Sequence, residues 1–167
     1  MSGGPSAEPP LALAPLAARA GAWILDLAVA VLAGAVAWLP GLWIVAARGT
    51  WTEQADGTVA LESAPAIGLL LLGLGVIVQV LAALWNQGLR QGRTGRSIGK
   101  SRLDLATVDV RGGEPLGAAR GVLRWLAAVI LGSLCLGTYL WAIVDPRRRT
   151  WHDLLAGSVV VRDPAPR

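Results

Sequence analysis

LAARAGAWILDLAVAVLAGAVAWLPGLWIVA, residues 16–46, is the stretch on which the reading of the whole chain turns. From Ala20 to Ala47 the only charged side chain is Asp26. About 20 apolar residues cross a bilayer core of roughly 30 Å as a helix, so this run is long enough to span. Arg19 and Asp26 are seven residues apart, close to two helical turns, and share a face with Trp23 between them. Arg19 can snorkel to the headgroups. Asp26, roughly 10 Å further along at 1.5 Å per residue, is too short to do so. A carboxylate at that depth faces a bundle interior or a functional site.

The totals agree with a membrane protein. The chain has 167 residues, of which 54% are hydrophobic, a mean hydropathy of +0.54 and a net charge of +4. Eight tryptophans stand against no phenylalanine, and Trp23, Trp38, Trp43, Trp85, Trp125 and Trp141 lie in or at the ends of apolar runs, as interfacial residues do. The single cysteine, Cys135, excludes an intrachain disulfide. Residues 1–15, rich in Pro, Ala, Ser and Gly, lack the basic start of a secretory signal and read as a disordered tail.

The first span is expected over about 17–47, kinked or ended near Pro40-Gly41, with Ala30, Ala33 and Ala37 continuing the Arg19/Asp26 face. Residues 48–64 form a polar, acidic connector. The second span is expected over about 65–86, where Gln79 and Asn86 share a face; they could bond to the first helix near Asp26, or Asn86 could be solvated at the membrane edge. Residues 87–115 carry Arg90, Arg93, Arg96, Lys100, Arg102 and Arg111. Gly99-Lys100-Ser101 resembles the end of a phosphate loop, but Thr94 stands where its first glycine is needed, so no nucleotide site is proposed. Residues 102–110 then alternate as a short strand does, and 157–161 form a second strand candidate. Between them lies the third apolar region, 116–144, opened by Arg120 and Arg124 and interrupted at Gly132, Ser133, Gly137 and Thr138. Residues 163–167 are a closing tail.

Charge decides the expected topology. The basic middle loop and the tail bearing Arg147, Arg148, Arg149, Arg162 and Arg167 both belong in the cytoplasm, and the acidic connector outside. Three straight spans would put the two basic regions on opposite sides. The 29 residues from Leu116 to Val144 are too few for two spans of about 20 each. They suffice for an interfacial helix plus a short re-entrant hairpin, tolerated where its turn is buried in protein. The expected fold is therefore an all-α membrane protein: two full transmembrane helices, a third apolar region that returns or else spans, and a small cytoplasmic two-strand element.

These residues resemble the RDD family of small bacterial membrane proteins, named for an arginine and two aspartates in membrane helices. Arg19 with Asp26 is similar to its first-helix pair, and Gly95-Arg96-Ser97-Ile98-Gly99-Lys100 to its Gly-x-x-x-Gly-Lys middle motif. Arg120 and Arg124 match its helix-opening arginines. Asp145, Arg147 to Arg149 and His152-Asp153-Leu154-Leu155-Ala156-Gly157-Ser158 resemble its C-terminal signature, with Ser158 where threonine is usual. The resemblance covers residues 16–162 as a single domain. It implies a role no more specific than transport, cation/proton exchange among the suggestions, in a bacterial membrane protein; the charge pattern adds the expectation of a multi-pass inner-membrane protein with both termini cytoplasmic. The second aspartate is taken as Asp145, with Asp153 as rival.

The expected site is thus Arg19, Asp26 and Asp145, a proton- or cation-binding cluster or a static ion network, supported by Gln79, Asn86, Arg120, Arg124, His152 and Asp153. Arg147, Arg148 and Arg149 are expected at anionic lipid. The alternative to transport is an accessory or scaffold protein that binds a partner or lipid through its basic face. Gly117-x-x-x-Gly121 offers a contact for a homo-oligomer or another membrane protein. His152-Asp153 has no nucleophile convincingly near, so no enzyme is expected, nor a cofactor. One His and one Cys make no metal site. No aromatic platform accompanies the charge, so no nucleic-acid partner is expected.

Overall fold

A computed structural model describes residues 12–134 and 137–162. Residues 1–11 of the tail expected over 1–15, the closing tail 163–167 and Cys135 lie outside the described residues. The order is α1 (Leu16–Arg48), β1 (Thr50–Glu53), β2 (Val59–Ser63), α2 (Ala66–Ala83), a π-helical turn (Leu84–Arg90), α3 (Gln91–Thr94), α4 (Ile98–Arg102), β3 (Leu105–Asp109), α5 (Ala118–Leu134), α6 (Gly137–Val144), α7 (Trp151–Leu155) and β4 (Ser158–Arg162). The chain divides into two compact units, Asp26–Trp85 and the segments flanking it.

Two helical runs, Leu16–Arg48 and Ala66–Thr94, are long and apolar enough to cross a membrane. α1 continues through Pro40 rather than ending there, because a proline costs less where neighbouring helices and local adjustment re-satisfy the backbone. In the central unit α1 and α2 meet at glycines. A Cβ on Gly34 would lie 2.6 Å from the Gly75 carbonyl oxygen, and one on Gly75 would lie 2.6 Å from the Trp38 backbone nitrogen. Gly41 and Gly68 repeat the arrangement seven residues along each helix. Apolar tails gain nothing by leaving lipid for another helix, so such contact relies on close backbone approach. The acidic connector is an antiparallel hairpin, with Trp51 opposite Leu61. Asp56 accepts the Thr58 amide at 2.9 Å and Gly57 takes φ 82°, the turn chemistry that an Asp-Gly pair provides.

The flanking unit is built around a second sheet. β3 and β4 pair antiparallel from Leu105 opposite Arg162 to Asp109 opposite Ser158. Leu13 bridges Val161, the Ala14 amide donates to the Val160 carbonyl, and the Arg162 amide donates to that of Ala12. Residues 12–14 are therefore ordered against β4 rather than part of a tail. They satisfy an edge whose polar groups would otherwise be unpaired. One side of the sheet packs Leu105 and Val160 with Ala14 and Ala22; the other packs Ala106, Val108, Val159 and Val161 with Leu13. Burial on both faces explains a strand as continuously apolar as Val159-Val160-Val161. The third apolar region is not one straight helix: α5 and α6 are bent by 107°.

Candidate functional site

The flanking unit buries an ion cluster centred on Asp153, which is fully buried. Thr150 caps α7, its hydroxyl accepting the Asp153 amide while the Asp153 carboxylate accepts the Thr150 amide at 3.2 Å. This capping box fixes the carboxylate at the start of the helix. Asp153 Oδ1 then accepts from Arg124 Nε at 2.8 Å and Nη2 at 2.7 Å, and Oδ2 accepts from Arg19 Nη2 at 2.5 Å. Arg19 also donates to the Arg148 carbonyl. One carboxylate thus ties the start of α1, the middle of α5 and the loop before α7 together. Burial alone would push the Asp153 pKa up, but Arg124 and Arg19 outweigh it and hold the carboxyl well below the usual carboxylate range.

His152 lies beside it, 6% exposed, with its ring edge-on to Tyr139. Burial, reinforced by Arg124, pushes its pKa down to about 3 against the pull of Asp153, so the ring is neutral at pH 7. Nε2 lies 2.8 Å from the Thr150 hydroxyl. Nδ1 is buried with no hydrogen-bond partner among the described residues, and which ring nitrogen carries the hydrogen sets whether Thr150 donates to the ring or accepts from it.

Asp145, expected at the centre of the cluster, is elsewhere. Its Oδ2 accepts the Arg147 and Arg149 amides at 3.1 and 2.9 Å, and Arg149 closes a two-point pair on it at 3.1 and 3.0 Å. The Arg149 hydrogen bond lowers its pKa. The reason is local. A short carboxylate following a helix reaches amides two and four residues on at little entropic cost, whereas Arg19 must be met from across the chain. Asp145 reaches Arg19 only indirectly, by shaping the turn whose Arg148 carbonyl that arginine bonds. Arg149 is therefore held by Asp145, while Arg147 and Arg148 remain exposed. Asp26 is 2% exposed and belongs to the central unit. Gln79 is half-buried there, its Cβ within reach of the Gly34 position.

Asn86 is buried rather than solvated, its side-chain oxygen accepting the Ile98 amide at 2.8 Å. Lys100 donates to Gln91 at 3.1 Å, and Gln91 to Thr107 at 3.1 Å. Gly95, at φ 74°, ends α3 and its carbonyl accepts the Thr107 amide. The Gly-x-x-x-Gly-Lys segment is thus a corner leading into β3. Arg120 joins Asp109 at 2.5 Å and the Ala156 carbonyl at 2.6 Å, an outer clamp across the two strands at one end of the sheet. Gly121 packs inside the chain, where an added Cβ would lie 2.5 Å from Gly92 Cα. The Thr150-x-x-Asp153 spacing is the signal that sequence reasoning passed over. Among the described residues no group of three or more His, Cys, Asp or Glu could hold a metal ion.

Comparison with known proteins places these residues in context. The RDD family model matches residues 13–157. The chain is 33% identical over 110 residues to a protein named "Proline-rich antigen homolog" from Mycobacterium tuberculosis, covering 66% of this chain and 46% of that protein. It is 31% identical over 93 residues to the "Proline-rich antigen" of Mycobacterium leprae, covering 56% of this chain and 37% of that one. The matched part thus spans less than half the length of these curated relatives. No solved structure matches the chain significantly.

Proposed function

The chain belongs to the RDD family, and from that premise we propose that it is a non-enzymatic anchoring and scaffold module of the bacterial inner membrane, not a transporter in its own right. The observation that carries this reading is the saturated Asp153. A carboxylate held by two guanidinium groups and a backbone amide, with its pKa far below neutrality, does not exchange protons at pH 7. It works instead as a fixed clamp, since opening such a pair would leave a buried charge uncompensated. Pairing of β3, β4 and residues 12–14 in one sheet supports a single membrane face for the N-terminal segment, the basic middle region and the C-terminal strand. The arginine-rich middle region and tail make that face cytoplasmic, where a basic surface meets anionic lipid or a partner.

Transport is the second reading, and Asp26 favours it: a carboxylate 2% exposed in a helix otherwise uncharged from Ala20 to Ala47. Purified protein in proteoliposomes separates the two. The scaffold reading expects no cation-driven pH change above protein-free vesicles. A flux present in wild type and abolished by Asp26→Asn in folded protein would replace it with transport.

A further inference from the structure

α7 is amphipathic in reverse. His152 and Asp153 point into the buried ion cluster, whereas Trp151, Leu154 and Leu155, at i, i+3 and i+4, share the outer face. Leu155 is 65% exposed, and the preceding helix α6 ends on Ile143 and Val144 at 66% and 69%. A polar-in, apolar-out helix is not a surface suited to water. Cations frame it. Arg147 and Arg148 are exposed just before it, and their side chains have no bonding partner among the described residues. Arg111 and Arg120 line a depression of about 330 Å³ on its other side, together with Asp109, Leu154, Leu155 and Gly157. An apolar face with an aromatic and a rim of arginines complements one surface chemistry, the boundary between acyl chains and anionic headgroups.

We propose that α7 lies in the headgroup boundary of an anionic leaflet, with Trp151, Leu154 and Leu155 entering the acyl edge and Arg147 and Arg148 binding lipid phosphates. This rests on the reading that the sheet-bearing unit stands at the membrane surface. It adds to that reading a depth, a set of contacts and a lipid class. The juxtaposition also explains the inward polar face: Asp153 anchors from within a helix whose outside is held by lipid.

The test uses the full chain in nanodiscs of phosphatidylglycerol and phosphatidylcholine. In a Cys135→Ser background an environment-sensitive fluorophore is attached at Leu155→Cys, and for reference at Gly112→Cys, where nothing lies within 4 Å of an added Cβ. The label at 155 is expected to be quenched by doxyl lipid and shielded from iodide, and that at 112 to be quenched by iodide. Iodide quenching at 155 like that at 112 overturns the proposal alone. Shielding of 155 from both quenchers also overturns it, since a protein surface then covers α7. Doxyl quenching at 112 overturns the surface reading, and the proposal with it. Independently, Arg147→Gln/Arg148→Gln should lower retention of phosphatidylglycerol over phosphatidylcholine by about five-fold per arginine, in protein whose thermal unfolding is unchanged. An unaltered lipid preference in that variant overturns the phosphate contacts.

Discussion

Asp153 and Asp145 are both buried aspartates near the C-terminus, yet they differ in what their loss should do. Asp153→Asn removes the negative charge between two guanidinium groups that are themselves largely enclosed. Breaking a buried pair from one side costs about 3–5 kcal/mol, so this variant should unfold at much lower temperature or fail to accumulate. Asp145→Asn loses a pair in which Arg149 is partly solvated, and about 1 kcal/mol is expected; thermal unfolding in detergent orders the two. The pH dependence belongs to His152. Its pKa is 6.5 in the unfolded chain and about 3 when folded, so between these values the unfolded chain holds the extra proton. Stability is then full above pH 6.5 and falls as pH drops toward 3, by up to about 1.4 kcal/mol per pH unit. Asp153, whose folded pKa is depressed, adds a loss of the same sign below 3.8. Melting temperatures from pH 8 to 4 should decline in wild type below 6.5 and stay nearly level in His152→Gln. An equal decline in both would assign the proton elsewhere. The choice of Asp145 over Asp153 could not be made from spacing, because both lie within reach of a returning chain. What decides it is the capping box, which turns Asp153 inward, and the local amides, which hold Asp145 where it stands.

At the scale of elements, legibility follows how local each signal is. The spans were readable because length and missing charge are properties of a window. β3 and β4 were readable because alternation, a Val-Val-Val run and flanking glycines need no neighbours to interpret. The β1–β2 hairpin was missed, read only as an acidic connector, although Thr and Val around Asp56-Gly57 carry its signature. The π-helical turn at Leu84–Arg90 and the five-residue α7 were not readable, because each is set by tertiary partners, Asn86 to Ile98 in one and Asp153 to two arginines in the other. The glycine seam between α1 and α2 sits near the expected alanine face, but its closest approach is at Gly34, Gly41, Gly68 and Gly75. Gly75→Val would drive its Cβ into the backbone of Trp38, and a loss of about 1–3 kcal/mol is expected from overpacking. Gly73→Ala, with nothing within 4 Å of the new Cβ, should be neutral or slightly stabilising. Unfolding of the two variants by the same protocol checks the seam; equal behaviour would remove it as a packing determinant.

For the whole molecule the decisive fact is that three distant segments form one sheet. Residues 12–14 precede α1, β3 follows the second apolar helix, and β4 follows the bent α5–α6 region. Strands hydrogen-bond only on the same side of a bilayer, so an even number of crossings separates each pair. α1 and the Ala66–Thr94 run are each long and apolar enough to cross, which gives two crossings before β3 where both do. The segment between β3 and β4 must then cross an even number of times, and α5 with α6, together 25 residues, is too short for two. No net crossing is then expected of the bent region, which would re-enter from one face or lie along it rather than span. Single cysteines put this to measurement. Ala55→Cys in the β1–β2 turn should react with an impermeant maleimide from outside intact cells. Gly112→Cys should react only after permeabilisation, and a reporter fused after Arg167 should be active on the same side as residue 112. A C-terminal reporter outside with residue 112 inside would make β3 and β4 unable to pair, and the ion cluster that joins α7 to Arg19 could not form.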